Sequence, residues 1–252
     1  MNKEKIFEHL QNHYNELKKH FSENQILGVF LYGSQNYGTD TETSDVDTRV
    51  IYVPSLHEVL FEKPISKEII LENGEHCDVK DIREYVKALK KQNITYVETL
   101  FTDYFILNPD YKDIWDDTLY KFREEISYYN YPGTISAMTH TCLNYIKGKN
   151  NCSGKVLSNV KRILYFLENY IQEKDYKDCL YIKDEAFRNE LILLKKESNI
   201  EIENDLESYF NNFLSIAKEN LNCFKPVSSP VNYVLESFVM ASFKRRETLF
   251  SF

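Results

Sequence analysis

The chain has 252 residues, 42% of them hydrophobic and 28% charged, with a net charge of −8. This suits a soluble globular protein with one large domain or two modest ones, and no apolar run is long enough to span a membrane. The acidic balance disfavours long duplex nucleic acid as a partner, leaving only Lys161-Arg162 and Lys244-Arg245-Arg246 as candidate basic patches.

At the N-terminus, Ile6, Leu10, Tyr14, Leu17 and Phe21 recur at helical spacing. They predict an amphipathic helix ending near Phe21 rather than a targeting segment. His9 and His13 are four apart on it; with no third ligand nearby in sequence, the pair reads as exposed rather than metal-binding. No secretion signal is visible. The five cysteines, Cys77, Cys142, Cys152, Cys179 and Cys223, are odd in number, scattered and without a Cys-x-x-Cys pair. Reduced thiols and a cytoplasmic location are therefore expected.

Ile26 to Tyr32 (ILGVFLY) reads as a buried strand running into the Gly33-Ser34 turn. A helix starting at Ser34 and ended by Gly38 would offer its first backbone N–H groups and the Ser34 hydroxyl to a phosphate. In Asp45-Val46-Asp47 the carboxylates are two apart, and the run from Val50 to Val53 ahead of Pro54 predicts a strand. Alternation then puts Asp45, Asp47 and Arg49 on one face and Val46 on the other. Two such carboxylates repel unless a cation lies between them, and hard oxygen ligands suit Mg²⁺.

Residues 55–61 predict a short capped helix. Ile69 to Leu71 and the segment around Asp78 predict a hairpin across Glu72-Asn73-Gly74-Glu75. Asp78 is the candidate third carboxylate, as phosphoryl and nucleotidyl transfer would require. Asp81 is expected to cap the next helix, over residues 82–89, and is the alternative third ligand if the register slips. A further helix is expected over 93–101, where Asn93 and Glu98 read either as substrate-orienting or as capping and surface pairing.

A Gly-Ser pair after a strand, followed twelve positions on by Asp-x-Asp preceded by Ser44, resembles the nucleotidyltransferase superfamily typified by DNA polymerase beta. The wording YGSQNYGTDTETSDVDT and KDIREYVKALKKQNITYVETLF is similar to uncharacterised bacterial and phage nucleotidyltransferases. The resemblance covers residues 26–110 well and the remainder loosely. It implies an α+β fold, a polymerase-beta-like nucleotidyltransferase domain with a mixed sheet, over residues 1–107. It implies a nucleoside triphosphate such as ATP as donor, and Mg²⁺ or Mn²⁺ held by Asp45, Asp47 and Asp78. Gly33, Ser34 and Ser44 stand at its nucleotide-binding positions.

From about Asn108 helical periodicity dominates, over 114–126, 134–146, 155–171, 185–196, 202–221 and 231–249, with Pro132-Gly133 and Pro226 to Pro230 as separators. An all-helical domain over 108–252 is expected. Lys155 and Arg162, seven apart, share one face of a helix. The resembled family tends to show a lysine and an arginine in this arrangement, so both carry over as nucleotide-binding; Asn159 stands where it often has a histidine. The expected function is metal-dependent transfer of a nucleoside monophosphate to a hydroxyl on a small molecule, an RNA end or a protein, the last as in antitoxin-like members. The alternative is a regulatory module that binds nucleotide and metal without turnover.

Overall fold

The computed structural model describes residues 2–41, 44–221 and 230–250. Cys223 and residues 226–229 of the expected separator lie outside the described residues. The described chain falls into two compact units: residues up to 35, 44–129 and 230–250 in the first, and 36–41 with 130–221 in the second.

The first unit opens with α1 (Lys3–Leu17), capped by the Asn2 side chain, which accepts from the Lys5 N–H at 2.9 Å. β1 (Ile26–Leu31) is buried along its whole length and leads into α2 (Ser34–Tyr37), whose first two residues belong to this unit. Then come β2 (Thr48–Tyr52) and α3 (Leu56–Phe61), which starts at a reciprocal Ser55–Glu58 capping box. β3 (Ser66–Ile70) and β4 (His76–Asp81) form the expected hairpin, its turn closed by Gly74 at φ +85°. Asp81 caps α4 (Ile82–Lys90) by accepting from the Arg83 N–H at 2.8 Å.

Residues 93–101 form α5 (Ile94–Val97) followed by one 3₁₀ turn. β5 (Phe105–Leu107), which the sequence did not announce, pairs with β1. The helix expected over 114–126 is broken into α6 (Lys112–Trp115), a π-helical turn and α7 (Arg123–Ser127).

Among the described residues the sheet has five strands in the order β3-β4-β2-β1-β5. β2 and β4 run parallel and the other neighbours antiparallel, giving the expected mixed sheet. Alternation divides its two faces. Val29, Leu31, Val50, Tyr52, Cys77 and Val79 pack with Ile6, Leu10, Tyr14 and Leu17 of α1 in one core. Leu10 and Leu17 are fully buried, and each such side chain contributes about 2 kcal/mol. Phe30, Arg49 and Asp78 are register partners on the opposite face.

The reading of His9 and His13 as an exposed pair is corrected. His13 is fully buried, and both imidazoles hydrogen-bond Glu75, which the β3–β4 turn brings from 62 residues away in sequence.

In the second unit, α8 (Tyr131–Ile146), α9 (Gly154–Tyr170), α10 (Tyr176–Leu180), α11 (Glu185–Leu194) and α12 (Leu206–Leu221) are joined by a two-residue ladder of β6 (Asn151–Cys152) with β7 (Ile200–Glu201). Pro132-Gly133 is not a separator but the first turn of α8. Proline is tolerated where no helical N–H bond is needed, and the Asn130 cap lies so close that a Cβ on Gly133 would meet it at 2.3 Å. The C-terminal helix α13 (Pro230–Phe250) returns to the first unit, so the two units do not follow a single cut in the sequence.

Candidate active site

Gly33 sits at the end of β1 with φ +96°, a conformation that side-chain-bearing residues rarely adopt. A Cβ built there would lie 4.0 Å from Asp47 Oδ2, so the turn and the Asp pair are neighbours. The helix begins at Ser34 and ends at Gly38, itself at φ +71°. The Gly33 N–H donates to Glu98 Oε1 at 3.2 Å, and Glu98 is fully buried. Surface pairing is therefore excluded for Glu98; it secures the turn from behind. Asn93 is a cap, accepting from the Thr95 N–H at 3.2 Å.

The segment 44–47 precedes β2 and is tied in by backbone. The Tyr32 N–H donates to the Asp47 carbonyl at 3.1 Å, and Gln35 Nε2 donates to the Asp45 carbonyl at 2.7 Å. Asp45 is exposed, Val46 is buried in the α1 core, and Asp47 is half-buried. Burial raises the proton affinity of Asp47, and the negative charge of Asp45 raises it further. Ser44 lies immediately upstream, partly exposed.

Asp78 is on β4 directly beside Arg49 of β2, on the face opposite α1. Since Asp47 is two residues before Arg49, alternation gives it the same face. Asp78 Oδ2 accepts from Arg49 Nη2 at 3.0 Å and Nε at 3.2 Å, and Oδ1 pairs with Lys80 at 3.3 Å. Arg49 is buried, its guanidinium lying 3.6 Å from the Tyr96 ring centre and 4.5 Å from that of Tyr32, with a further bond to the Thr95 carbonyl. Burial, and after it the Asp47 charge, pushes the Tyr32 hydroxyl up to about 12. Tyr32, Tyr96 and Lys80 were not singled out from the sequence. Lys80 is two residues from Asp78 on β4, whereas Tyr32 follows the end of β1 and Tyr96 comes from α5, so only the packing of these elements around Arg49 brings the three together. Asp81 faces the α1 side and is engaged by Arg83 at 2.6 Å as well as by its cap.

In the second unit Lys155 and Arg162 both lie on α9. Lys155 is exposed. Arg162 stacks on the Tyr37 ring at 4.1 Å and donates to Asn159 Oδ1 at 3.0 Å, so Asn159 orients the arginine. Lys195, also unremarked in the sequence, donates to the Thr39 carbonyl at 2.6 Å. Burial lowers its proton affinity, and the charge of Arg162 lowers it further.

The candidate nucleic-acid patches are largely consumed internally. Lys161 pairs with Glu203 at 2.8 Å and Glu190 at 3.0 Å, Arg245 with Asp113 at 2.7 Å, and buried Arg246 with Glu58 at 3.4 Å. Cys77, Cys142, Cys152 and Cys179 are free thiols, and burial pushes Cys77 and Cys142 up to about 12, away from nucleophilic use. Among the described residues no helix is long and apolar enough to cross a membrane.

Residues 13–102 match the family model described as a nucleotidyltransferase domain, and this part of the chain is a nucleotidyltransferase domain of the polymerase beta superfamily. No curated protein matches the chain.

Proposed function

From the nucleotidyltransferase domain that residues 13–102 form, we propose that the protein is a metal-dependent enzyme that transfers a nucleoside monophosphate from a triphosphate to a hydroxyl acceptor. The observations that support this are Asp47 beside the Gly33-Ser34 turn, and Arg49 and Asp78 paired across β2 and β4 of the same sheet. Asp45 and Asp47 suit a divalent cation: both donors are hard oxygens, and the half-buried Asp47 carries a charge that burial and Asp45 disfavour. Asp45, Asp47 and Asp78 would hold it. A bound Mg²⁺ or Mn²⁺ neutralises triphosphate charge and makes the attacking hydroxyl more acidic.

The chain's own groups do the rest. Ser34 and the first N–H groups of α2 hold the β- and γ-phosphates, with Ser44 assisting, while Glu98 fixes Gly33 in its turn. Asp78 takes the proton of the acceptor hydroxyl as its oxygen bonds the α-phosphorus and the bond to pyrophosphate breaks. Arg49, wedged between two tyrosines, orients that carboxylate. Lys155 and Arg162 are assigned as phosphate contacts on the resemblance. In this reading the metal-holding carboxylates and the phosphate turn all come from residues 1–107, while the helical remainder, 108–252, is divided between the two units, and the protein acts in the cytoplasm. The acceptor would be a small molecule, an RNA end or a protein hydroxyl.

Incubation of the whole protein with Mg²⁺, cell extract and each α-labelled ribonucleoside triphosphate in turn tests the reading. It expects label on an acceptor with wild type and none with Asp47→Asn; equal labelling by both refutes it. The ion pairs of Asp78 with Arg49 and Lys80 favour one alternative, a regulatory module that holds nucleotide without turnover. Tight triphosphate binding with no labelled acceptor is its signature.

A further inference from the structure

On the sheet face opposite Arg49 and Asp78, α1 and the β3–β4 turn bring together three side chains that the proposed reaction does not use. His9, His13 and Glu75 each present a ligand atom, all within 4.8 Å of one another. Glu75 Oε2 lies 2.9 Å from His9 Nδ1 and 2.8 Å from His13 Nε2. We propose that His9, His13 and Glu75 form a second metal site, selective for a late first-row divalent ion such as Zn²⁺.

The arrangement itself supports this. Histidines four apart on one helix are neighbours on one face and can share an ion. The same Glu75 oxygen also accepts from Asn73 Nδ2 at 2.6 Å, so three N–H groups converge on one carboxylate oxygen. Two in-plane lone pairs cannot serve three donors equally well, and a cation taken by both imidazoles and the carboxylate relieves that crowding.

The supporting contacts are built as well. His13 Nδ1 lies 2.8 Å from Thr48 Oγ1, which in turn lies 3.1 Å from Cys77 Sγ, fixing which ring nitrogen faces Glu75. His13 and Glu75 are buried while His9 remains a third exposed, which leaves the solvent side for a fourth, water ligand. Two nitrogens and one oxygen match Zn²⁺, Co²⁺ or Ni²⁺ and not the oxygen-seeking Mg²⁺.

Position gives the site a consequence. The other Glu75 oxygen, Oε1, accepts from the Val46 N–H at 3.4 Å, and Val46 separates Asp45 from Asp47. An ion here would brace the backbone of the Asp pair from the reverse side of the sheet.

The test uses the full chain, stripped with chelator and titrated with Co²⁺, followed by visible absorption and then Zn²⁺ competition. Both are carried out in the wild type and in an Asp45→Asn/Asp47→Asn background that removes the carboxylate pair. One equivalent of Co²⁺ with the intense bands of a four-coordinate site, displaced by Zn²⁺ and retained in that background, is expected. His9→Ala and Glu75→Gln should each weaken binding at least about tenfold. His9 is partly exposed, so its truncation leaves the α1 core in place, and retained Trp115 fluorescence verifies the fold. Absent bands, bands unchanged in both ligand variants, or bands lost in the Asp45→Asn/Asp47→Asn background would each overturn the site. Because no transfer activity is read, the outcome is separable from that of the proposed reaction.

Discussion

Replacing Arg49 with methionine keeps much of the side chain's volume but removes the guanidinium from Asp78, from the Thr95 carbonyl and from between the Tyr32 and Tyr96 rings. Losing one partner of a buried ion pair costs about 3–5 kcal/mol, mostly because the other charge is left unpaired. Here Asp78 is 19% exposed and keeps Lys80 at 3.3 Å, which argues for the lower end. The lost cation–π contacts cost about 1 kcal/mol, which methionine sulfur against the rings largely returns. A loss of about 3 kcal/mol is expected.

Trp115, the single tryptophan, is buried against Phe30 at 4.6 Å, within the same unit, and reports its unfolding. At a urea slope of about 2 kcal/mol per M, the fluorescence midpoint should fall by about 1.5 M. Adding Asp78→Asn removes the stranded charge, so the double variant should be more stable than Arg49→Met alone. A single-variant loss under about 1 kcal/mol, or a double variant no better than the single, would show that the pair does not hold this face together.

For Asp47→Asn, the sign follows from burial and the Asp45 charge. The folded proton affinity lies above that of the unfolded chain, so the Asp47 contribution to stability is present at acid pH and lost as pH rises through the folded value. The urea midpoint of Asp47→Asn should therefore gain on wild type between acid and neutral pH, while nucleotide transfer is lost. Gly33→Ala forces a side chain into φ +96° with nothing closer than 4.0 Å, a backbone cost of about 1–2 kcal/mol measurable by the same fluorescence. In the second unit a Cβ at position 154 would lie 1.7 Å from the Leu194 carbonyl oxygen. Gly154→Ala should cost about 3 kcal/mol and lower the thermal midpoint of helical circular dichroism, and an unshifted melt would refute the α9–α11 packing.

The sequence by itself determined what depends on neighbouring residues. Alternation sent Val46 into the core, Ser55 and Asp81 announced their caps, and Gly33 and Gly38 bounded a four-residue helix. Each is fixed by local geometry, with period, cap and turn all written within a few positions. β5 escaped because Phe105-Ile106-Leu107 is three residues long, too short to show a period, and it exists only through pairing with β1. Pro132-Gly133 misled because a proline permitted in a first helical turn looks the same in sequence as one that ends a helix. Only the tertiary structure decided that Asp78 meets Arg49 and Lys80, that Glu98 lies buried behind Gly33, and that Glu75 reaches His9 and His13. Those meetings span from two to 66 positions, and the long ones depend on how strands pair and which face a helix covers. That is set by the summed burial of many side chains and is written in no short stretch of the chain.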